Sequence, residues 1–183
     1  MKKAILSLLM TVAFASGVQA QAAKAAKTQA AKTTQAAQPA TTQDPDSLYA
    51  KALLPVGSEA PTFPALKKGT WTVLDFWATW CPDCRREIPT VKEMYKKYGT
   101  RAKFIGVSMD TDKQKLDTYT QANGVDWEQY SELKKWKETQ ISKAYNISWL
   151  PTMYLISPEG KVAYTTVLAE RMNKKLAEIF GEN

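Results

Sequence analysis

Cys81 and Cys84 are the only two thiols in a chain of 183 residues that contains no histidine. Their spacing, Cys81-Pro82-Asp83-Cys84, lets the second sulfur reach back to the first. The pair sits where an apolar run, Trp71 to Trp77, hands over to a helical pattern. At the first turn of a helix, unsatisfied backbone N–H groups and the positive end of the helix dipole stabilise a thiolate, lowering the pKa of the first cysteine below the free value of about 8.5. Pro82 suits the first helical position, where its missing N–H costs nothing. Cys81 is therefore expected to be an exposed attacking thiol and Cys84 the resolving one. The competing readings are a structural disulfide and half of a shared metal site. So short a loop gains little from chain entropy, and the chain offers no further Cys or His ligand.

The same inventory excludes other chemistries. Without histidine or more cysteine the chain cannot by itself assemble a four-ligand Cys/His zinc site, a four-thiolate iron-sulfur cluster or a His-based triad. Arg85 follows Cys84 where c-type haem attachment requires histidine. Asp75 interrupts the apolar run six residues before Cys81. On a central strand, desolvation would raise its pKa and let it exchange a proton with the Cys84 thiol; an Asp at a strand edge facing water is the alternative. Asp83 disfavours a thiolate on Cys81 while Arg85 and Arg86 favour it, so local charge does not set the direction of electron flow.

The elements that must hold these residues emerge from periodicity. Trp71–Trp77, rich in β-branched and aromatic residues, reads as a strand buried on both faces. Ile88, Val91, Met94 and Tyr98 recur at helical spacing, predicting a helix from about Pro82 to Tyr98, ended by Gly99. Residues 102–109 form the next strand candidate, and residues 112–122 and 138–145 two shorter helices, with an irregular aromatic stretch, residues 127–136, between them. Residues 152–156 and 161–166 flank Ser157-Pro158-Glu159-Gly160, the signature of an antiparallel hairpin. Residues 169–180 close the chain as an amphipathic helix. That order predicts an α/β fold: a mixed central sheet with helices on both faces.

The first 47 residues are of another kind. Lys2 and Lys3, an apolar run over residues 4–15 and Val18-Gln19-Ala20 read as a secretory signal cleaved after Ala20; the apolar run falls well short of the roughly 20 residues that span a bilayer. Residues 21–47 contain nine Ala, five Gln and five Thr, with no aromatic and no Leu, Ile, Val or Met. Such a stretch cannot bury enough apolar surface to offset its ordering entropy, and is expected to be a disordered linker. Residues 48–183 remain as one folded domain with a single core. Its 20 basic and 16 acidic side chains leave a mild excess spread over short pairs such as Lys96-Lys97, as on an ordinary solvated surface, so no nucleic-acid partner is expected; nor, for want of further Cys or His ligands, is a metal.

With these residues in view, Thr72-Val73-Leu74-Asp75-Phe76-Trp77-Ala78-Thr79-Trp80-Cys81-Pro82-Asp83-Cys84 resembles the active-site segment of the thioredoxin superfamily, and the exported chain resembles its TlpA/ResA/DsbE-like thiol-disulfide oxidoreductases. The likeness covers most of residues 55–180. Trp80 before the first cysteine, Pro89 eight residues after it, Trp149-Leu150-Pro151-Thr152 as the loop of a cis-proline, and the closing hairpin all match. The resemblance implies a thioredoxin fold with a short N-terminal extension, and a buried acid at Asp75. It implies a substrate segment pairing with the backbone of Leu150 ahead of a cis Pro151, near Trp80, Pro82, Asp83 and Trp149. Trp80 and Trp149 could form an apolar platform around the cysteines, core packing being the alternative for Trp149. Leu150 departs from the Thr or Val common in relatives.

The resemblance further implies disulfide exchange with protein dithiols and disulfides in the periplasm. No cofactor is expected beyond the redox-active pair. A reductant is the favoured direction, fed by a membrane thiol carrier because no flavin or nicotinamide fingerprint is present. Cytochrome c maturation and general disulfide repair are both compatible roles. A thiol oxidant and a redox-inert binding module are the alternatives. A peroxidase is disfavoured because Leu74 and Ala78 stand where a peroxiredoxin-like Pro and Thr/Ser would be needed.

Overall fold

The computed structural model describes residues 44–49 and 52–181. The signal expected over residues 1–20 and all of the expected linker 21–47 up to residue 43 lie outside them. The remaining elements run in the order α1 (Pro45–Tyr49), β1 (Trp71–Trp77), α2 (Pro82–Tyr98), β2 (Ala102–Ser108), α3 (Lys113–Asn123), β3 (Glu128–Tyr130), α4 (Gln140–Ala144), β4 (Thr152–Ile156), β5 (Val162–Thr166) and α5 (Ala169–Phe180). The sheet runs β3-β2-β1-β4-β5. β1, β2 and β3 are parallel, and β4 and β5 complete it antiparallel, which makes the expected mixed sheet of a thioredoxin fold.

β1 is central and buried along almost its whole length, because its residues alternate between two covered faces. On one face Phe76 packs against Tyr145, at the end of α4, and against Tyr154 of β4. On the other lie Asp75 and Trp77, with the Trp77 ring 5.9 Å from that of Tyr119 of α3. α2 crosses from β1 to β2 and packs beside α5. Its buried stripe is Cys84, Ile88, Val91, Met94 and Tyr98, the helical spacing read from the sequence.

Two departures from expectation concern local signals. The aromatic stretch after α3 contains a third parallel strand, β3, three residues long and paired with Ile105–Val107. It is held by side-chain chemistry that no periodicity reveals. Gln129 accepts a hydrogen bond from the Trp77 indole at 3.0 Å and donates to the Trp127 carbonyl at 3.1 Å. Gly106 makes room for it, since a Cβ there would stand 2.3 Å from the Gln129 amide oxygen. The helix expected over 138–145 is divided into a 3-10 turn, Trp136–Glu138, and α4, because Thr139 is extended and caps the second piece through its hydroxyl.

The linker boundary also moves. Residues 45–47, expected to be disordered, belong to α1. The cause is Asp46, whose carboxylate accepts from the Thr166 hydroxyl at 2.9 Å, the Val167 N–H at 2.8 Å and the Arg171 guanidinium at 2.6 Å. A composition argument sees a polar residue in a polar segment; only the fold supplies three donors for it.

Candidate active site

The site is built at the C-terminal end of β1. The chain leaves the strand at Trp77, turns through Ala78-Thr79-Trp80 and enters α2 with Cys81 as its N-cap, in extended conformation (φ −86°, ψ 112°). Pro82 takes the first helical position. The turn is closed by the Cys81 N–H on the Ala78 carbonyl at 3.1 Å. Cys81 and Cys84 are joined as a disulfide, their Cα atoms 5.3 Å apart. The Cys84 N–H points at Cys81 Sγ, 3.1 Å away. In the reduced state that donor, at the positive end of a helix of 17 residues, would stabilise a Cys81 thiolate.

Cys81 is not the exposed thiol that its position suggested. It is 5% exposed and Cys84 3%. The difference arises across the fold: the loop before β4 lies over the disulfide, with the Leu150 carbonyl oxygen 3.7 Å from Cys81 Sγ, and the Leu150-Pro151 peptide bond is cis. Leu150 is buried, and Thr152 steadies the loop by donating its hydroxyl to the Trp149 carbonyl at 2.8 Å.

The aromatic platform is arranged differently from expectation. Trp80 is 54% exposed, and its neighbour is Trp136 of the 3-10 turn, ring centroids 6.5 Å apart. Trp149 instead stacks on Tyr49 of α1 at 4.2 Å and 17°. Neither partner was visible in the sequence: Trp136 lies in an irregular stretch and Tyr49 at the edge of a segment read as linker. Asp83 forms an ion pair with Arg86 on the exposed side of α2, so these two opposing charges largely cancel.

Asp75 is 8% exposed, between Gly106 of β2 and Met153 of β4. Burial, with the nearby Glu87 carboxylate adding to it, raises its pKa from 3.8 to about 7. Glu87, which the sequence reading overlooked, lies three residues after Cys84 and so shares its side of α2. Its Oε2 accepts the Ala169 N–H at 2.9 Å, which caps α5. The i, i+3 spacing from the second cysteine was the one available signal, and its link to Asp75 and α5 is tertiary. The arrangement can thus hold a thiolate on Cys81, take it up in a disulfide with Cys84, and supply or accept a proton at a buried acid near neutral pH.

Comparison with known proteins agrees with this fold. The Thioredoxin-like family profile matches residues 69–162. The thiol-disulfide oxidoreductase ResA of Bacillus subtilis is 32% identical over 96 residues, about half (51%) of that protein and 52% of this chain. ResA of Bacillus cereus is 30% identical over 137 residues, 69% of this chain and 77% of the relative. Among solved structures, a thiol-disulfide oxidoreductase from Bacteroides fragilis superposes with a TM-score of 0.60 at 25% identity, covering 67% of this chain and 100% of the other.

Proposed function

The chain belongs to the thioredoxin-like thiol-disulfide oxidoreductases of the ResA/TlpA/DsbE type, and on that premise we propose that it reduces disulfides of protein substrates outside the cytoplasm through Cys81 and Cys84. The observation that carries the reading is the Cys81–Cys84 pair at the N-terminus of α2, beneath the cis-proline loop.

The Cys81 thiolate attacks a substrate disulfide and the substrate's other sulfur leaves as a thiolate. Cys84, having given up its proton, attacks Cys81 Sγ and displaces the reduced substrate, leaving the Cys81–Cys84 disulfide. Asp75 is the group that takes the Cys84 proton, since an acid of pKa about 7 is close to evenly divided between its two forms at neutral pH. Leu150 and the edge it presents receive the substrate backbone, with Trp80, Pro82, Asp83 and Trp149 around it.

A reducing direction is supported by the buried acid of β1 and the carboxylates of α2. A strong oxidant is one whose reduced form is stabilised. Asp75, with Glu87 beside it, disfavours negative charge in the neighbourhood of the pair, and Asp83 offsets Arg86. Electrons would then come from a membrane thiol carrier, and substrates would include the haem-attachment cysteines of c-type cytochromes. Among the described residues no helix is long and apolar enough to cross a membrane.

Equilibration of the pair against glutathione or dithiothreitol buffers tests the direction. A potential near about −270 mV, the thioredoxin value, is expected; one near about −120 mV, that of DsbA, would make the protein an oxidant. Cys84→Ser should trap a mixed disulfide with substrate. Binding that survives both Cys81→Ser and Cys84→Ser without turnover would instead indicate a binding module.

A further inference from the structure

The turn that carries Trp80 and Cys81 buries Ala78 and Cys81 but leaves its largest side chain, Trp80, half exposed, so side-chain packing fixes only part of it. It is held from across the sheet. Asp110, two residues past the end of β2, is 4% exposed, and its carboxylate accepts three hydrogen bonds. Two come from Thr79, the N–H at 3.0 Å on Oδ2 and the hydroxyl at 2.6 Å on Oδ1; the third comes from the Ser108 hydroxyl at 2.7 Å on Oδ2. Burying a carboxylate is costly unless donors replace its water, and here they do. The backbone of the same residue reaches the other side of Trp80. The Asp110 carbonyl accepts the Ser131 hydroxyl at 3.1 Å, and Ser131 Oγ accepts the Leu133 N–H at 3.1 Å, at the start of the segment that brings Trp136 to Trp80.

We infer that Asp110 is a positioning residue for disulfide exchange: by clamping Thr79 it sets the Ala78–Cys81 turn, and so the aim of the Cys81 sulfur at the Cys84 N–H and the placement of Trp80. The inference rests on the reading of Cys81 as the attacking thiol. Thr79 sits two residues before the sulfur, inside the turn that the Cys81 N–H closes, so freedom gained at Thr79 is passed directly to the N-cap geometry. Asp110 touches no reacting atom; it acts through the turn.

The test is the rate of Cys81 alkylation by iodoacetamide in the reduced full-length protein as a function of pH, with the modified cysteine identified by peptide mass spectrometry. Thr79→Val keeps the backbone bond and removes the hydroxyl donor. It should slow Cys81 alkylation at pH 7 by about tenfold, the worth of one charge-assisted hydrogen bond, and raise the midpoint of the pH profile. Thr79→Ser retains the hydroxyl and should restore the wild-type profile to within about twofold, a tolerance set by the same scale. In an Asp110→Asn background, Thr79→Val should add less than about twofold, because its partner is already altered.

An alkylation profile unchanged by Thr79→Val, with only a lowered melting temperature, would make the clamp purely structural and overturn the inference. So would an equal loss in both backgrounds. If Asp110→Asn does not fold, the contrast between Val and Ser at position 79 decides alone. If Cys84 is the faster thiol in the unaltered protein, the reading of Cys81 fails, and the same contrast, read on whichever thiol titrates, still decides the clamp.

Discussion

Replacing Asp75 with Asn keeps its shape and removes the ability to ionise, so the variant isolates the energetic consequence of burying this acid. The pKa of Asp75 rises from 3.8 to about 7 on folding, burial being the larger cause and the Glu87 charge the smaller. An acid whose folded pKa lies above its unfolded value holds its proton more tightly in the folded state. The stability this gives is fully present below pH 3.8 and is lost as pH rises through 7. Relative to a permanently neutral group, the penalty is about 2 kcal/mol at pH 5 and levels off at about 4 kcal/mol by pH 8. Asp75→Asn should therefore be more stable than the parent, by a margin that widens by about 2–3 kcal/mol between pH 5 and pH 8. Urea unfolding of the oxidised protein at several pH values, followed by tryptophan fluorescence, measures it. A margin that stays flat across that range would refute the argument that Asp75 is buried as an acid titrating near neutrality. The variant should also resolve mixed disulfides more slowly, and rates unchanged between about pH 6 and 9 would remove Asp75 from the mechanism.

Glu87→Gln retains the acceptor for the Ala169 N–H and removes the charge that acts on Asp75, so the Asp75 midpoint, read by carboxyl carbon NMR, should fall below 7 while remaining above the ordinary range. No movement of that midpoint would separate the two carboxyls. Gly106→Ala forces the Gln129 amide away and leaves the Trp77 indole without its acceptor; a loss of about 1–3 kcal/mol in urea unfolding is expected, partly recovered by a second Gln129→Ala change that clears the clash. Asp46→Ala removes the acceptor shared by Thr166, Val167 and Arg171, and should cost about 1–3 kcal/mol and open residues 44–49 to limited proteolysis. A cleavage pattern identical to the parent's would show that Tyr49 stacking on Trp149 suffices to hold the segment.

The strands and helices that carry the cysteines were legible because each has a dominant period or a clear stop. Trp71–Trp77 and Pro82–Tyr98 fall at the residues predicted, since a continuous apolar run, a proline at the first helical position and a stripe of Ile88, Val91, Met94 and Tyr98 all agree locally. β3 was not legible, because three residues give no period and their pairing depends on Gln129 reaching Trp77 across the sheet. α1 was hidden for the same kind of reason: Asp46 is one polar residue among many until Thr166, Val167 and Arg171 stand around it.

At the site the division is similar. The sequence alone determined that one pair of thiols exists, that their spacing permits a disulfide, that a helix dipole points at the first of them, and that an acid interrupts the central strand. These are properties of neighbours along the chain. Only the tertiary structure decided that Cys81 is covered by Leu150, that Trp149 faces Tyr49 while Trp80 faces Trp136, that burial and then Glu87 raise the pKa of Asp75, and that Asp110 grips Thr79. Each of those contacts joins residues of different elements, whose meeting is set by how the sheet and its helices pack, and that packing leaves no signature at any single position of the chain.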